Sequence, residues 1–456
     1  MYKKILIASL ALIAGLASCK KDDPTPSPNL PSGLTIDGVA STLEFYQLDT
    51  AHLSVAGVAK DAAAKAVWAV NGAKAAEGAT FDFTTAHPGK YEVTLTVDGK
   101  SAKHTYTVAP RFSEGAFLLN EGNFGNETGS LTYIHPSKKL VIDQAYYHIN
   151  GTKLGNVCQD LAFGNDQVYI LSQLGPKNGG EGLLTIASSN SLEKVKVYND
   201  EALAQSTPTH IAVLRDHIYI RTERDGILRG SSEGGFTPIT GTKKALKQRM
   251  AQIGERLFAL TSDSKVLMIQ GTQVVRELDL SPAKPSGIAV SHDGKLWVST
   301  TSPNAILKVD PTPDNFVALD RHILDKSISA TGAESWERTT SSAFFAHGDK
   351  LYFTGQSSVI YCHDFATSKT SQVIDVKTID GVGTSANKYY NSLGVDPATG
   401  ELYYAAFEDY STYNKKNVTM VLKADGTKLL LKEKVNSFPA GFYFIPNAAS
   451  RTGANR

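Results

Sequence analysis

The sequence predicts an all-β protein, because short apolar runs alternate with turn residues along most of its length. The clearest case is residues 285–310, PSGIAVSHDGKLWVSTTSPNAILKVD, where three short apolar runs are separated by polar turns. Asp293-Gly294 between two such runs is a strong hairpin signal, since glycine accepts a positive φ without a Cβ clash. A fourth run near 316–319 completes a unit of four short antiparallel strands. Such a unit, when it repeats every ~40–50 residues, is typical of the blades of a β-propeller.

The same hairpin recurs along the chain and predicts the extent of the propeller. Inner hairpins are predicted with turns at residues 164–166, 215–216, 254–255, 292–294, 347–349 and 397–400. The segment 438–444, FPAGFYF, repeats the pattern of 284–290, KPSGIAV, but no hairpin partner follows it. Conversely, 116–120 reads as a second strand with no inner strand before it. We therefore predict a seven-bladed propeller over 114–447, closed by pairing of the C-terminal strand with 116–120, which removes two exposed sheet edges.

Residues 33–109 precede the predicted propeller and have a strand periodicity of their own. Trp68 lies in a central strand and 91–97 alternates strictly, which is typical of an immunoglobulin-like sandwich without its disulfide. The run 88–95, PGKYEVTL, resembles the PKD-type Ig-like domain, in which the tyrosine forms a corner, and 68–72, WAVNG, matches that family more loosely. We favour a stalk over the alternative of a partner-binding module, because no exposed aromatic cluster stands out in this segment.

The N-terminal residues predict a lipid anchor. Lys3 and Lys4 precede an apolar run, 5–17, that is too short to span a bilayer of ~30 Å as a helix. This run ends in 16–19, LASC, which resembles the lipobox of bacterial lipoproteins. We expect a signal peptide over 1–18, lipid attachment at Cys19 and a Pro/Ser-rich linker up to residue 32; the alternative is an ordinary signal peptide with an accidental cysteine.

The residues that follow Cys19 predict the location of the protein. The run 20–23, KKDD, looks like the surface-export signal of Bacteroidota lipoproteins, and a plain solvated spacer is the alternative. We expect a protein held at the outer membrane by its lipid and exposed on the cell surface. The tail 448–456 is expected to be disordered.

Composition and motifs argue against several classes of function. The 456 residues contain 46 Lys and Arg against 45 Asp and Glu, so no basic excess indicates nucleic acid. Three cysteines cannot form a disulfide framework. No nucleophile elbow or zinc-binding helix is present, and Asp160 and His210 stand among small residues at the predicted inner-strand starts rather than in a metal cage. We predict no catalytic residues, no metal, no cofactor and no enzymatic activity.

Long aromatic loops predict a ligand-binding face on the propeller. These loops join the second and third strands of the blades, or join one blade to the next, and long loops on a rigid scaffold commonly carry function. Tyrosine, tryptophan and arginine dominate binding hot spots. The candidate ligand-binding residues are Asn123, Phe124, Tyr147, Gln173, Arg224, Trp336, Arg338, Tyr389, Tyr390, Tyr410 and Tyr413.

The run 117–125, FLLNEGNFG, is distinctive and is followed by 129–133, GSLTY. Together with 439–442, PAGF, it resembles a family of Bacteroidota surface lipoproteins with YncE-like seven-bladed propellers, mostly of unknown function. Relatives of the BtuG type capture corrinoids and pass them to a TonB-dependent outer-membrane transporter. The resemblance implies non-enzymatic capture of a bulky nutrient, corrinoid-like or another metal chelate, and transfer to such a transporter. The alternatives are an adhesive or structural propeller that binds protein or glycan, and a quinoprotein-like or lactonase-like enzyme.

Overall fold

The computed structural model describes residues 33–39, 44–328, 344–355 and 357–446. These residues are almost entirely β-strand and turn, which confirms the all-β prediction. The described residues divide into two compact units: unit 1 comprises 33–39, 50–83 and 90–106, and unit 2 comprises 44–49, 84–89 and the described residues from 107 to 446. The signal peptide, the linker, Cys19 and the tail 448–456 lie outside the described residues.

The N-terminal strands form two sheets. The first has the order β1-β3-β6, with strands Thr35–Asp37 (β1), Thr50–Ala56 (β3) and Thr80–Thr84 (β6). The second has the order β2-β8-β7-β4-β5, with strands Phe45–Tyr46 (β2), Val67–Val70 (β4), Ala73–Glu77 (β5), Gly89–Val97 (β7) and Lys100–Ala109 (β8). A single helical turn, Lys60–Ala63 (α1), precedes β4.

The core of unit 1 forms where residues of both sheets meet. The ring of Trp68 in β4 lies 5.6 Å from that of Phe81 in β6, measured between centroids, and Trp68 is fully buried. Its indole N–H donates to the carbonyl of Gly78 at 2.9 Å, so the one polar atom of the ring is satisfied. Phe83 stacks on Tyr106 at 4.7 Å and adds a second contact between the two sheets.

The rest of the described chain forms seven four-stranded antiparallel sheets that resemble propeller blades. Their strands, sheet by sheet, are Ala116–Asn120, Ser130–His135 and Leu140–Ile142 (β9–β11); Asn156–Gly164, Gln167–Gly175, Leu184–Ser188 and Lys194–Tyr198 (β12–β15); Pro208–Leu214, His217–Thr222, Gly226–Ser231 and Gly234–Pro238 (β16–β19); Ala251–Ile253, Arg256–Leu260, Lys265–Gln270 and Gln273–Asp279 (β20–β23); Lys284–Val290, Leu296–Thr301, Ala305–Asp310 and Val317–Ile323 (β24–β27); Phe344–His347, Lys350–Thr354, Val359–Asp364 and Lys369–Asp375 (β28–β31); Lys388–Val395, Leu402–Phe407, Asn417–Leu422 and Lys428–Glu433 (β32–β35); and Pro439–Phe444 (β36), which joins the first sheet.

Short helical segments lie in the connections between strands. They are Ala145–Asn150 (α2), Glu201–Ser206 (α3) and 3-10 turns at Lys177–Gly179, Val376–Thr378 and Gly383–Ala386. The side chain of Asp200 caps α3 by accepting from the N–H of Leu203, as expected at a helix N-terminus.

The last strand pairs with the first strand of the first sheet, as the sequence predicts. Phe444 lies opposite Ala116 and Tyr443 opposite Phe117, in an antiparallel register. The predicted inner hairpins are also present, and each connects the first and second strands of its sheet. The first sheet is therefore assembled from the two ends of the propeller segment, and β9 is paired on both sides, with β10 and with β36.

Consecutive sheets stack through shared apolar clusters. The innermost strand β16 is buried along its whole length, whereas the outermost strand β27 is mostly exposed. Each major cluster joins two neighbouring sheets; for example, Phe258 and Ile288 belong to one cluster. The cluster that contains Tyr403 and Phe442 joins the last sheet to the first, so the stack of sheets returns to its beginning. This arrangement is a β-propeller, and it holds the loops at the strand ends in fixed positions.

Several innermost strands share an irregularity at the same place. The register shifts between Cys158 and Asp160, between Pro208 and His210, between Pro285 and Gly287, and between Pro439 and Gly441. Such a bulge places two residues against one, bends the strand and changes the direction of its side chains.

Candidate functional site

The loop 121–129 between β9 and β10 is held in place from several directions. The N–H of Glu121 donates to the carbonyl of Phe438 at 2.8 Å, and the N–H of Gly129 donates to the carbonyl of Gly155 at 2.8 Å. Gly122 has φ +74°, and a Cβ there would collide with the carbonyl of Thr128, so only glycine fits this turn without strain. The loop is therefore a rigid surface rather than a free arm.

Aromatic rings from two segments of the chain meet beside this loop. Phe438 stacks on Tyr413 with 4.3 Å between centroids and lies 6.1 Å from Tyr410 in a nearly parallel orientation. Phe407 meets both Phe438 and Tyr410 edge-on at 5.4 Å. Offset and edge-on pairs at these distances are the favourable arrangements of aromatic rings. The four rings form one continuous apolar wall.

A hollow of about 410 Å³ lies between the loop 121–129 and this wall. We call it the aromatic hollow, and its lining residues are Glu121, Gly122, Asn123, Phe124, Val157, Gln159, Gln173, Lys247, Tyr410 and Phe438. Phe124 lies at its rim with 62% of its surface exposed, more than any other phenylalanine, tyrosine or tryptophan among the described residues. The volume is in the range of small-molecule sites, which are mostly apolar with a few polar groups.

One strand residue, Gln159, brings a polar group into the aromatic hollow through the bulge in β12. Gln159 has no partner in the strand pairing of β12 with β13, which shifts between Cys158 and Asp160. It lines the hollow although only 2% of its surface is exposed. Its Nε2 donates to the carboxylate of Glu121 at 3.0 Å. Its Oε1 is buried and accepts no hydrogen bond from the residues described, and a buried acceptor without a donor is costly.

A second hollow, of about 370 Å³, lies on the other side of the loop 121–129. We call it the amide hollow, because side-chain amides dominate its lining; they include Asn120, Asn126, Gln144, Asn178, Asn414 and Asn436. Tyr147 on α2 also lines it and is 44% exposed.

The structure brings together some of the candidate residues predicted from the sequence. Asn123, Phe124, Gln173 and Tyr410 all line the aromatic hollow. Tyr413 does not line it; it is buried behind Phe438, and its hydroxyl accepts from the Nδ2 of Asn123 at 3.4 Å. Burial, together with a hydrogen bond to Glu127, raises the pKa of Tyr413 to about 12. Tyr413 therefore supports the wall as a neutral phenol.

The remaining candidates lie elsewhere. Tyr147 belongs to the amide hollow, and Arg224 is exposed in the loop after β17 without lining either hollow. Tyr389 and Tyr390 lie in β32, where only their backbone is described. Trp336 and Arg338 lie outside the described residues.

Asp160 and Arg249 form a buried ion pair, and residues of the innermost strands of two further sheets also contact Asp160. The carboxylate of Asp160 accepts from the hydroxyl of Tyr443 at 2.6 Å, from the N–H of Ile211 at 2.9 Å and from the Nε of Arg249 at 3.2 Å. The guanidinium of Arg249 also lies 4.0 Å from the centroid of the Tyr443 ring. Burial raises the pKa of Asp160 although the charge of Arg249 opposes this shift.

Asp160 is thus occupied by protein donors. A cation beside it would have to displace the guanidinium of Arg249, because like charges in a buried site repel. His210 is fully buried and contacts the hydroxyl of Thr209 at 3.1 Å. Within the ranges that the structure describes, no group of three or more His, Cys, Asp or Glu side chains is arranged to hold a metal ion.

Both described cysteines are free thiols rather than a disulfide. Burial raises the pKa of the Cys158 thiol well above its usual range, so the thiolate form is disfavoured. Across the described ranges, no helix is long and apolar enough to cross a membrane.

Sequence reasoning did not nominate six of the ten residues that line the aromatic hollow; they are Glu121, Gly122, Val157, Gln159, Lys247 and Phe438. Phe438 lies in the predicted closing strand 438–444 and Gln159 stands beside Asp160 at a predicted inner-strand start, but the strand pattern does not show that either side chain lines a hollow. Lys247 lies in the connection between β19 and β20, where no motif or periodicity marks it.

Among solved structures, the chain is similar to a quinoprotein alcohol dehydrogenase-like protein from Bacteroides thetaiotaomicron, with 16% identity, a TM-score of 0.58 and coverage of 92% of this chain and 99% of that one. It is also similar to a protein from Lactobacillus plantarum, with 13% identity, a TM-score of 0.46 and coverage of 73% and 99%. A third similar structure is the WD40 β-propeller domain of Doa1, with 10% identity, a TM-score of 0.41 and coverage of 60% and 82%.

The first of these likenesses shows a shared fold, and at such low identity it shows nothing about activity. No curated protein matches the chain. The model of one family does match, over residues 114–446, which include all seven four-stranded sheets and both hollows; that family is described as a domain of unknown function, DUF5074. The chain belongs to the DUF5074 family.

Proposed function

We propose that this protein is a non-enzymatic binding protein that holds a bulky amphipathic nutrient over the aromatic hollow. The observation that carries the proposal is the exposed ring of Phe124 facing a wall of stacked rings across a hollow of about 410 Å³. Each Å² of exposed apolar surface that a ligand covers makes the free energy of binding more favourable by ~25 cal/mol. The buried amide of Gln159 offers a polar group that orients the ligand.

The rigidity of the site favours binding over chemistry. The loop 121–129 is fixed by backbone hydrogen bonds to Phe438 and Gly155, and the wall behind it is packed. A preformed site orders few groups when the ligand arrives, so more of the contact free energy is available as affinity.

The cargo class follows from the family resemblance in the sequence and includes a corrinoid or another metal chelate. A corrinoid is larger than the aromatic hollow, so only part of it would enter and the remainder would lie over the rim near Phe124. In this proposal the aromatic hollow binds one part of the ligand and the surrounding face of the propeller contacts the rest. The protein then passes its cargo to a TonB-dependent outer-membrane transporter.

The finer architecture is also part of the proposal. We infer seven blades, because seven four-stranded sheets are joined by clusters that return from the last sheet to the first. We infer an immunoglobulin-like sandwich for the N-terminal strands, supported by two sheets around a buried tryptophan. Lipid attachment at Cys19 and exposure at the outer membrane complete the proposal and rest on the N-terminal sequence.

The binding function is tested by calorimetric titration of the purified protein with cobalamin, haem and a set of oligosaccharides. The proposal expects saturable binding of an amphipathic ligand that weakens about tenfold in Phe124→Ala, since truncated hot-spot rings commonly cost that much. The matched control is Tyr147→Ala, which removes an exposed ring from the amide hollow and should leave that affinity unchanged. Saturable binding of an oligosaccharide alone, weakened by Tyr147→Ala, would instead support the adhesive, glycan-binding alternative.

The location and the partner have separate tests. Cys19→Ser should release the protein from membranes, and added protease should cleave the native form on intact cells. Cross-linking in the native cell should recover a TonB-dependent transporter in an amount comparable to the protein itself. Retention of the Cys19→Ser variant on membranes would contradict the anchor.

A further inference from the structure

We infer that the ligand of the aromatic hollow is an amphipathic anion, with a flat apolar part for the rings and a carboxylate or similar group for Lys247 and Lys177. This inference rests on the proposed function, because it names the chemical class that the same hollow would accept. The anionic character of the ligand is inferred from the positive charges around the hollow.

Three lysines surround the hollow and come from separate parts of the chain. Lys247 lines it directly from the connection between β19 and β20. The Nζ of Lys177 lies 4.2 Å from the centroid of the Phe124 ring, and the Nζ of Lys388 lies 5.8 Å from that of Tyr410. Two of the aromatic residues of the hollow, Phe124 and Tyr410, therefore each have an ammonium group nearby.

These ammonium groups are not neutralised by close partners. Among the residues that the structure describes, none of the three lysines has a carboxylate within 4.0 Å. Some lysines elsewhere on the propeller do; for example, Lys194 pairs with Glu181, and Lys308 pairs with Asp293 at 2.9 Å. The three lysines therefore bring positive charge to the hollow without a close ion-pair partner among the described residues.

One carboxylate also lines the hollow, and it brings one negative charge against the three lysines nearby. Glu121 is 6% exposed and already accepts from Gln159. Beyond the lining, the charge of Lys388 lowers the pKa of Asp409 from a distance, so Lys388 is the most compensated of the three. Lys247 and Lys177 remain as the cations with the least compensation.

The cation–π contact of Lys177 leaves its N–H donors available. An ammonium held against a ring face still carries three donors, and a carboxylate can accept from them at the edge of the ring. A flat anion would therefore stack along Phe124 while its charge meets Lys177 and Lys247. A cationic ligand of the same shape would be repelled by both.

The test uses two matched fluorescent probes, pyrenebutyrate and pyrenebutanol, which share a flat apolar ring and differ in one charge. Anisotropy titrations on the full purified protein should give about tenfold tighter binding of the carboxylate, the scale of one charge-assisted hydrogen bond. Lys247→Gln and Lys177→Gln should each weaken the binding of pyrenebutyrate about fivefold more than the binding of pyrenebutanol. The matched control Lys153→Gln, which removes a lysine from the amide hollow, should change neither.

The outcomes separate the inference from the proposed function. Equal affinity for the two probes, weakened by Phe124→Ala but not by the lysine variants, would overturn the anion inference and leave the binding function standing. Binding of neither probe would overturn the hollow as a site for flat apolar ligands and the inference with it. A preference for the carboxylate that fades as salt rises from 0.05 to ~0.5 M would support the inference, because exposed charges are screened over ~10 Å at 0.1 M salt.

Discussion

The guanidinium of Arg249 occupies the space in which a side chain at Gly441 would begin. A Cβ built on Gly441 would collide with Nη2 of Arg249, and the φ of +147° at Gly441 also disfavours other residues. The same guanidinium donates to the carbonyl of Phe442 at 3.3 Å and to Asp160 at 3.2 Å. The glycine of the closing strand therefore makes room for the ion pair at the centre of the propeller.

Gly441→Ala is expected to destabilise the protein by about 2–3 kcal/mol, because it adds a clash to an unfavourable backbone angle. Gly271→Ala is the matched control, since Gly271 has φ +60° but nothing within 4 Å of its Cβ position. That control should lose only about 1 kcal/mol from the backbone angle. Urea unfolding measures both, and equal losses would show that the contact with Arg249 contributes nothing.

Asp160→Ala is expected to cost about 3–5 kcal/mol, because it leaves the guanidinium of Arg249 buried without its counter-charge. The control is Glu92→Ala, which breaks the exposed pair of Glu92 with Lys103 and should leave the midpoint of unfolding unchanged. A small loss for Asp160→Ala would mean that water reaches Arg249 in the variant, and would contradict the view of a closed, dry centre.

Two phenylalanines of the aromatic hollow should respond differently to truncation. Phe438→Ala removes the ring that stacks on Tyr413, and we expect a loss of about 2–3 kcal/mol, less than for a fully buried ring because Phe438 is half-buried. Phe124→Ala removes an exposed ring and should change stability by less than ~0.5 kcal/mol while weakening ligand binding. Thermal unfolding beside a titration distinguishes these effects, and a strongly destabilised Phe124→Ala would disqualify it as a binding probe.

The turn residue Asp293 should make the protein sensitive to acid. Burial alone would raise the pKa of Asp293, but hydrogen bonds within its turn and from the ammonium of Lys308 at 2.9 Å lower it to about 2. The unfolded value is about 4. The stabilisation is therefore present above pH ~4 and is lost as the pH falls towards 2, because the unfolded chain binds the proton first.

This contribution is measured as the difference in unfolding free energy between the protein and Lys308→Met across that pH range. Asp293 is more than a third exposed, so solvent screening keeps the difference below ~1 kcal/mol at neutral pH. The difference should shrink below pH 4. A difference that stays constant down to pH 2 would contradict the pairing of Lys308 with Asp293.

Much of the architecture was predictable because it depends on local patterns. Turns such as Asp293-Gly294 mark the hairpins directly, and the repeat of KPSGIAV as FPAGFYF marks the strand that closes the ring. These signals do not depend on how the sheets stack, so they can be recognised in a single sequence.

The site was less predictable because it is assembled across sheets. Phe124 and Tyr410 were recognised as exposed loop aromatics, but Lys247 reaches the same hollow from a connection with no pattern. Tyr413 has the same local signature as Tyr410 and lies buried behind Phe438, since only packing decides which ring of the loop turns inward. Likewise, Arg249 meets Asp160 because neighbouring sheets stack, and no spacing in the sequence indicates this ion pair.

Deletion of residues 437–456 should abolish folding of the propeller, because β36 then no longer pairs with β9. Deletion of 447–456 is the matched control; it removes none of the described strands, and the truncated protein should unfold at the same temperature as the full chain. Soluble expression and light scattering measure the outcome. A soluble, cooperatively unfolding product of the longer deletion would show that the remaining sheets are sufficient.

The pairing of β36 with β9 also dictates the order of assembly. The first sheet of the propeller is complete only when the last strand has been synthesised, so the propeller cannot be completed on a nascent chain. Loop closure over more than three hundred residues makes that final step slow compared with hairpin formation. Until then the incomplete ring exposes strand edges, and a chaperone that shields them would raise the yield of native protein.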